Sequence, residues 1–253
     1  MLDKELFQKT PMGIALTELS EQMQKEKIPP VSINVIGGFA LMMREIRNPN
    51  DTTDIDYVGN TLSPEFNALA DKIGMKYKLG KGWINNDVML SGSTFEDFEF
   101  ATGKLHFEPA FSVGNININV LEEQDLLRMK LISIDTSLTA IDMGGEFTRM
   151  KDLPDIETMM KHANIKATDI EDKFGDYLIS GMVPKVMETY NKEGIDGVNK
   201  IIKKQMDAYF ERTKPKQEEY KRSSFIQNLL DSMYKRAEAE EKLFGDVDDP
   251  FSL

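Results

Sequence analysis

Apolar residues near the start of the chain recur at helical spacing. Met12, Ala15, Leu16, Leu19 and Met23 are one, three or four apart, which puts them on one face of an α-helix. Thr10 and Pro11 stand just before them, a hydroxyl cap followed by a residue suited to the first helical position. Pro29-Pro30 ends the element. The pattern then shortens. Residues 31–36 predict a buried strand, Gly37-Gly38 breaks it, residues 39–46 predict a short helix, and residues 54–58 predict a second strand. Ser63, Pro64 and Glu65 open a further helix to about residue 73, with Ser63 as its cap.

Between residues 75 and 121 the runs are short and are punctuated by Gly80, Gly82, Gly92, Gly103 and Gly114. They predict strands at 75–78, 83–90, 98–101, 105–107 and 115–121. Helical spacing returns at 122–134 and 154–162, and beyond residue 165 the chain reads as helical throughout. Ile195, Val198, Ile201, Ile202, Met206, Tyr209 and Phe210 form one apolar stripe, and residues 225–237 carry another. Residues 245–253, acidic with one proline, predict a frayed end. The expected fold is α/β in the broad, α+β sense. A mixed sheet with flanking helices would occupy residues 1–165, a helical region 166–245, and a flexible tail 246–253.

Composition narrows the functional classes. With 253 residues, 40% hydrophobic and 29% charged, the chain can build a sizeable core. No apolar run approaches the roughly 18 residues of a membrane helix, so no membrane partner is expected. The opening Met-Leu-Asp-Lys-Glu carries acidic residues and no apolar stretch, so no secretory signal is expected. The absence of cysteine excludes a disulfide framework, a Cys-ligated zinc site and a thiol nucleophile, and fits a reducing, cytoplasmic location. A net charge of −12 runs against a nucleic-acid binder that works through an overall basic surface. Any such contact has to be a local patch, and an acidic surface also suits a basic partner.

The chemistry concentrates between residues 37 and 56. Asp54 and Asp56 are two apart on a predicted strand, so both side chains point to one face. Two carboxylates held together repel unless a cation or a shared proton intervenes. Mg²⁺ takes one or two carboxylates plus substrate phosphates; plain solvation at a strand end is the other reading. Gly37-Gly38 joins a strand to a helix, where glycine admits close approach of a phosphate to the backbone. A tight turn requiring positive φ explains the same pair. Lys130 lies three and four residues from Leu126, Leu127 and Ile134, on the apolar side of its helix. An ammonium there either reaches a phosphate or snorkels to water. In Arg149-Met-Lys151-Asp152-Leu-Pro-Asp155, the two aspartates flank a proline at a helix start, where acidic residues also serve as caps.

Taken together, Ile33-Asn-Val-Ile-Gly37-Gly38-Phe-Ala, sixteen residues to Asp54, and Asp54-Ile-Asp56-Tyr-Val resemble the signature of the nucleotidyltransferase superfamily. Thr53 before Asp54, with Arg47 upstream, resembles its AbiEii-like toxin branch, the nucleotidyltransferases of type IV toxin–antitoxin pairs. Four residues, Asn-Pro-Asn-Asp, separate Arg47 from the threonines. Lys130 after paired leucines, and Lys151-Asp152 with Asp155 three residues on, follow in the order of that branch. The resemblance covers roughly residues 31–160. It implies transfer of an NMP from an NTP to an acceptor hydroxyl, on RNA such as tRNA, with an antitoxin protein as partner. It implies Mg²⁺ or Mn²⁺ held by Asp54 and Asp56. Gly37, Gly38, Thr53, Lys130 and Lys151 would bind the nucleotide, and Asp54, Asp56, Lys130, Asp152 and Asp155 would be catalytic.

The pattern departs from the superfamily at one strand. Where many members supply a third carboxylate, residues 115–121 offer Asn115, Asn117 and Asn119 on one face. Asparagine can be a neutral ligand but not a general base. Asp152 or Asp155 would then complete the site, or the chain is a degenerate binding module. Nucleotidylation of a protein hydroxyl is a further alternative. His106, His162 and Trp83 read as structural. Residues 196–222 hold eight basic residues (Lys200, Lys203, Lys204, Arg212, Lys214, Lys216, Lys221 and Arg222) against five acidic ones, which reads as a solvated face or as a guide for a nucleic-acid acceptor. Residues 223–253 turn acidic again, suiting a basic partner such as an antitoxin.

Overall fold

The structure is a computed structural model, and it describes residues 2, 4–48, 51–59, 61–89 and 94–213. Helices α1 (Lys4–Gln8) and α2 (Pro11–Glu26) lead into β1 (Val31–Val35), α3 (Gly37–Met43) and β2 (Ile55–Val58). Then come α4 (Pro64–Lys76), β3 (Ile84–Asn85), α5 (Phe95–Thr102), β4 (Phe107–Val113), β5 (Ile116–Leu121) and α6 (Glu123–Ile141). The described chain ends with α7 (Leu153–His162), α8 (Ile170–Phe174) and α9 (Val183–Thr213), with short 3₁₀ turns at Met150–Asp152, Ala167–Asp169 and Gly175–Tyr177.

Local chemistry starts the helices. The Thr10 hydroxyl accepts from Gly13 N at 3.0 Å and the Ser63 hydroxyl from Phe66 N at 3.2 Å, each with proline at the next position. Both caps satisfy an N–H that the first helical turn leaves unpaired.

The five strands form one mixed sheet in the order β3-β2-β1-β5-β4. β1 runs parallel to β5 and antiparallel to β2; β2 runs parallel to β3, and β4 antiparallel to β5. Alternation sorts the two faces. Ile33, Val35, Ile116, Ile118 and Val120 are buried in the core, whereas Ser32, Asn34, Asn117 and Asn119 lie on the other face. The edge strand β4 takes Pro109 and an irregularity between Pro109 and Phe111, both tolerated at an edge because Pro cannot donate to a ladder.

Several predicted strands are helix. Residues 75–78 close α4 and the turn after it, and 98–101 lie in α5, where Thr94 and Asp97 form a reciprocal capping box. Among the described residues of 83–90, only Ile84–Asn85 pairs as a strand. The strand expected at 105–107 begins at Phe107 and runs on to Val113. α1 has no counterpart in the pattern reading, and α3 starts at Gly37 itself rather than after the glycine pair.

One compact unit spans Met1–Met206, so the expected boundary at 165/166 falls inside it. Ile170, Phe174, Val183, Val186, Val198 and Ile202 belong to the same apolar cluster as the sheet and α2. The second unit, Asp207–Leu253, is described only as the end of α9. The stripe at 225–237, the tail, and Lys214, Lys216, Lys221 and Arg222 lie outside the described residues.

The sole tryptophan, Trp83, is 1% exposed and donates through Nε1 to Ala70 O at 2.7 Å. It lies against Gly74, where an added Cβ would come within 2.3 Å of both Trp83 Cδ1 and Gly80 O. Gly74→Ala therefore forces the indole out of its seat. The expected result is a loss of about 1–3 kcal/mol, read as a lowered Tm together with red-shifted tryptophan emission.

Candidate active site

β2 presents Asp56, half-buried, with the exposed Asp54 immediately before it. Both face the glycine pair at the start of α3. Gly37 has φ +61°, and a Cβ on it would lie 2.6 Å from Asp56 Oδ2. A Cβ on Gly38 would lie 2.7 Å from Thr52 Oγ1 and 3.0 Å from Arg47 Nη1. Each glycine thus leaves the space that a site side chain fills, and Gly37 adopts a backbone conformation that other residues resist. Thr52 Oγ1 donates to Asp54 Oδ1 at 3.4 Å. The Asp56 carboxyl is pushed above its ordinary 3.8, first by burial and then by the Asp54 charge, against a hydrogen bond from Asn85 and the field of Lys130.

The cations come from distant segments. Lys130 on α6 forms ion pairs with Asp152 and, at 3.7 Å, with Asp155 Oδ2. Arg47 forks onto Asp155, with Nη2 bonded to Oδ2 and Nε 3.4 Å from Oδ1. Arg149 Nη1 stands 3.8 Å from Asp152 Oδ2, a buried atom without a hydrogen-bond partner. Asp152 occupies the N-cap position of α7 yet makes no capping bond. Its carboxylate turns inward to Lys130, so pairing rather than capping accounts for its burial.

These groups surround a cavity of about 540 Å³. Its wall holds four carboxylates (Asp51, Asp54, Asp56 and Asp87) and four cations (Arg47, Lys130, Arg149 and Lys151). Gly37, Gly38, Thr52 and Thr53 also line it. Of the residues expected from the sequence, Gly37, Gly38, Thr53, Asp54, Asp56, Lys130 and Lys151 meet here. Asp152 and Asp155 do not line it. At 0% and 7% exposure they lie behind the wall, where they position Lys130 and Arg47.

Asn119 is also elsewhere. Its amide donates to Ser32 Oγ at 3.0 Å and Asn34 Oδ1 at 2.9 Å on the polar face of the sheet. Beyond Asp54 and Asp56, the carboxylates at the cavity are Asp51 and Asp87, the latter with its charge bearing on Asp56. Asp87 follows β3 in a loop, where its backbone N donates to Asn85 Oδ1 at 3.1 Å, and no local pattern marks it. Thr52, 9% exposed, shows the same limit, because the sequence points to its neighbour Thr53 instead. Among the described residues no group of three or more His, Asp or Glu gathers at metal-binding distance, so a cation here would rest on Asp54 and Asp56 with ligands from a substrate.

His106 and His162 are away from the cavity, paired with Asp125 at 2.9 Å and Glu123 at 3.1 Å. Among the described residues no helix is long and apolar enough to cross a membrane. Comparison with protein-family models, curated proteins and solved structures found no match.

Lys130→Met strands Asp152 beside an exposed Arg149 and should cost about 3–5 kcal/mol, the usual penalty for an unpaired buried charge. Adding Asp152→Asn should restore most of that loss in a denaturant titration. Asp56 has the reverse linkage of a paired carboxylate. Its raised pKa makes the native state bind more protons than the unfolded state between 3.8 and the raised value, so its contribution to stability falls as pH rises through that window. Asp56→Asn should therefore raise Tm at pH 7, with the gain vanishing below about pH 4.

Proposed function

We propose that this chain is a nucleotidyltransferase that moves an NMP from an NTP to an acceptor hydroxyl. The observation that carries the reading is the meeting of Asp54 and Asp56 with Gly37, Gly38, Lys130 and Arg47 around one cavity. Four acids alone would repel a polyphosphate, and four cations alone would suit any anion. Both sets together suit an anion that arrives with a divalent cation.

Asp54 and Asp56 fit Mg²⁺ or Mn²⁺. The unfavourable closeness of their charges is relieved by a dication, and Mg²⁺ accepts two carboxylates with phosphate oxygens completing its shell. When bound, such an ion neutralises charge on the phosphates. The chain's own residues do the rest. Gly37 and Gly38 keep side chains out of the path of the phosphates. Thr52 and Thr53 flank the aspartates. Lys130, Arg47, Arg149 and Lys151 hold the triphosphate and stabilise charge as it develops. Lys130 and Arg47 act from fixed positions because Asp152 and Asp155 hold them, which reduces reorganisation at the moment of reaction. The acceptor oxygen bonds to the α-phosphorus, the bond from that phosphorus to the bridging oxygen breaks, and pyrophosphate leaves. Asp87, a cavity carboxylate not needed for the cation and near enough for its charge to bear on Asp56, takes the hydroxyl proton.

The AbiEii-like resemblance extends the proposal to an RNA acceptor, tRNA in particular, and to an antitoxin partner. On α9, Lys203 and Lys204 are exposed while Lys200 pairs with Glu193 at 3.0 Å. A second reading, a binding module without turnover, is favoured by one observation: Asn119, at the strand where a third carboxylate is usual, is tied to Ser32 and Asn34.

The deciding experiment incubates the purified protein with each α-labelled NTP, Mg²⁺ and total RNA. Label on RNA that disappears in Asp54→Ala/Asp56→Ala and falls at least about 100-fold in Asp87→Asn is the expected outcome. Label on protein instead would redirect the acceptor. Label on neither would favour the binding module.

A further inference from the structure

Beside the cavity just described lies a second one of about 350 Å³. The two share Val88, Met129, Ser133 and Arg149 as wall residues, so they are contiguous. We propose, on the nucleotidyltransferase reading above, that this annex receives the nucleobase of the NTP and prefers a base with an exocyclic amino group over uracil.

α6 sets the direction. Lys130 stands at the polyphosphate cavity, and Ser133, Ser137 and Ala140 continue along the same helix into the annex. From Lys130 to Ser137 the helix rises about 10 Å, which carries the wall from phosphates toward a base. The surface changes character over that length. Phe98, Met129, Ile132 and Ala140 offer apolar contact, which suits a flat aromatic ring with a few polar groups to orient it.

The polar atoms supply the preference. Thr102 Oγ1 donates to Phe98 O at 2.8 Å and Ser133 Oγ donates to Met129 O at 3.0 Å. Both hydroxyl hydrogens are spent on the preceding helical turn, so these oxygens show the annex lone pairs. Glu146 lines the same space, and an ionised carboxylate only accepts. Ser137 Oγ accepts from Thr148 N at 2.9 Å, which leaves its own hydrogen for a ring nitrogen or carbonyl. Every base has such an acceptor, so Ser137 does not discriminate. The acceptors do. The amino group of cytosine, adenine or guanine offers two hydrogens to them, whereas uracil has one N–H between two carbonyls and sets lone pair against lone pair.

The test is calorimetric titration of the full chain with CTP, ATP, GTP and UTP in Mg²⁺, without acceptor. UTP should bind more weakly than at least one amino-bearing NTP by roughly tenfold, the value of one hydrogen bond. In Glu146→Gln, whose amide can also donate, the gap should close to within about threefold. UTP binding as tightly as the others, or a gap unchanged by Glu146→Gln, overturns the assignment. If all four bind equally and Asp54→Ala/Asp56→Ala abolishes binding, the nucleotide site stands and only the base preference falls. If none binds, both fall.

Discussion

Two carboxylates deep in the fold set the terms for the rest of the site. Asp152 is wholly buried and Asp155 nearly so, and an ionised carboxylate cannot stay in such surroundings without cations close by. Lys130 arrives from α6 and Arg47 from the segment after α3. Three stretches far apart in the chain are thereby tied together, and the tie fixes where the two cations sit. Gly38 belongs to the same constraint, because Arg47 passes within the space its Cβ would fill.

Not every buried acid marks a site. Asp135 is 2% exposed, but it accepts from Ile179 N at 2.6 Å, from Ser180 N at 2.9 Å and from Ser180 Oγ at 2.5 Å. Asp125 is held by His106 N at 2.8 Å and by Arg128 at 2.8 Å. Both close a loop onto α6, and neither lines the cavity that holds Asp54 and Asp56. The Asp54–Asp56 pair differs because both line the cavity and the charge of one bears on the other. Burial and the Asp54 charge raise the Asp56 pKa against the effects of Asn85 and Lys130, the electrostatic condition of a group arranged for a ligand rather than for stability.

Where local chemistry was unambiguous, the pattern of residues found the elements. Thr10-Pro11 and Ser63-Pro64 start helices as their caps demand, and the alternation in β1 and β5 matches the burial of Ile33, Val35, Ile116, Ile118 and Val120. The misread strands fall between residues 75 and 113. There, glycines break the chain into pieces too short for period to distinguish helix from strand. In α5 the Thr94–Asp97 capping box starts a helix where a short run suggested a strand, and no α5 residue is fully buried to have disclosed the period.

The sequence by itself determined what adjacent residues can determine: a strand, a glycine pair, a helix and a second strand bringing Asp54 and Asp56 to one face, with Lys130 on the apolar side of its own helix. These depend on backbone period and on glycine's missing Cβ, both local properties. Only the tertiary structure decided that Asp87 joins the cavity wall while Asn119 does not, and that Asp152 and Asp155 lie behind the wall as anchors for Lys130 and Arg47. Ion pairs depend on distance and on exclusion of water. Arg47 and Asp155 are 108 positions apart, so that distance exists only once the sheet and helices have packed.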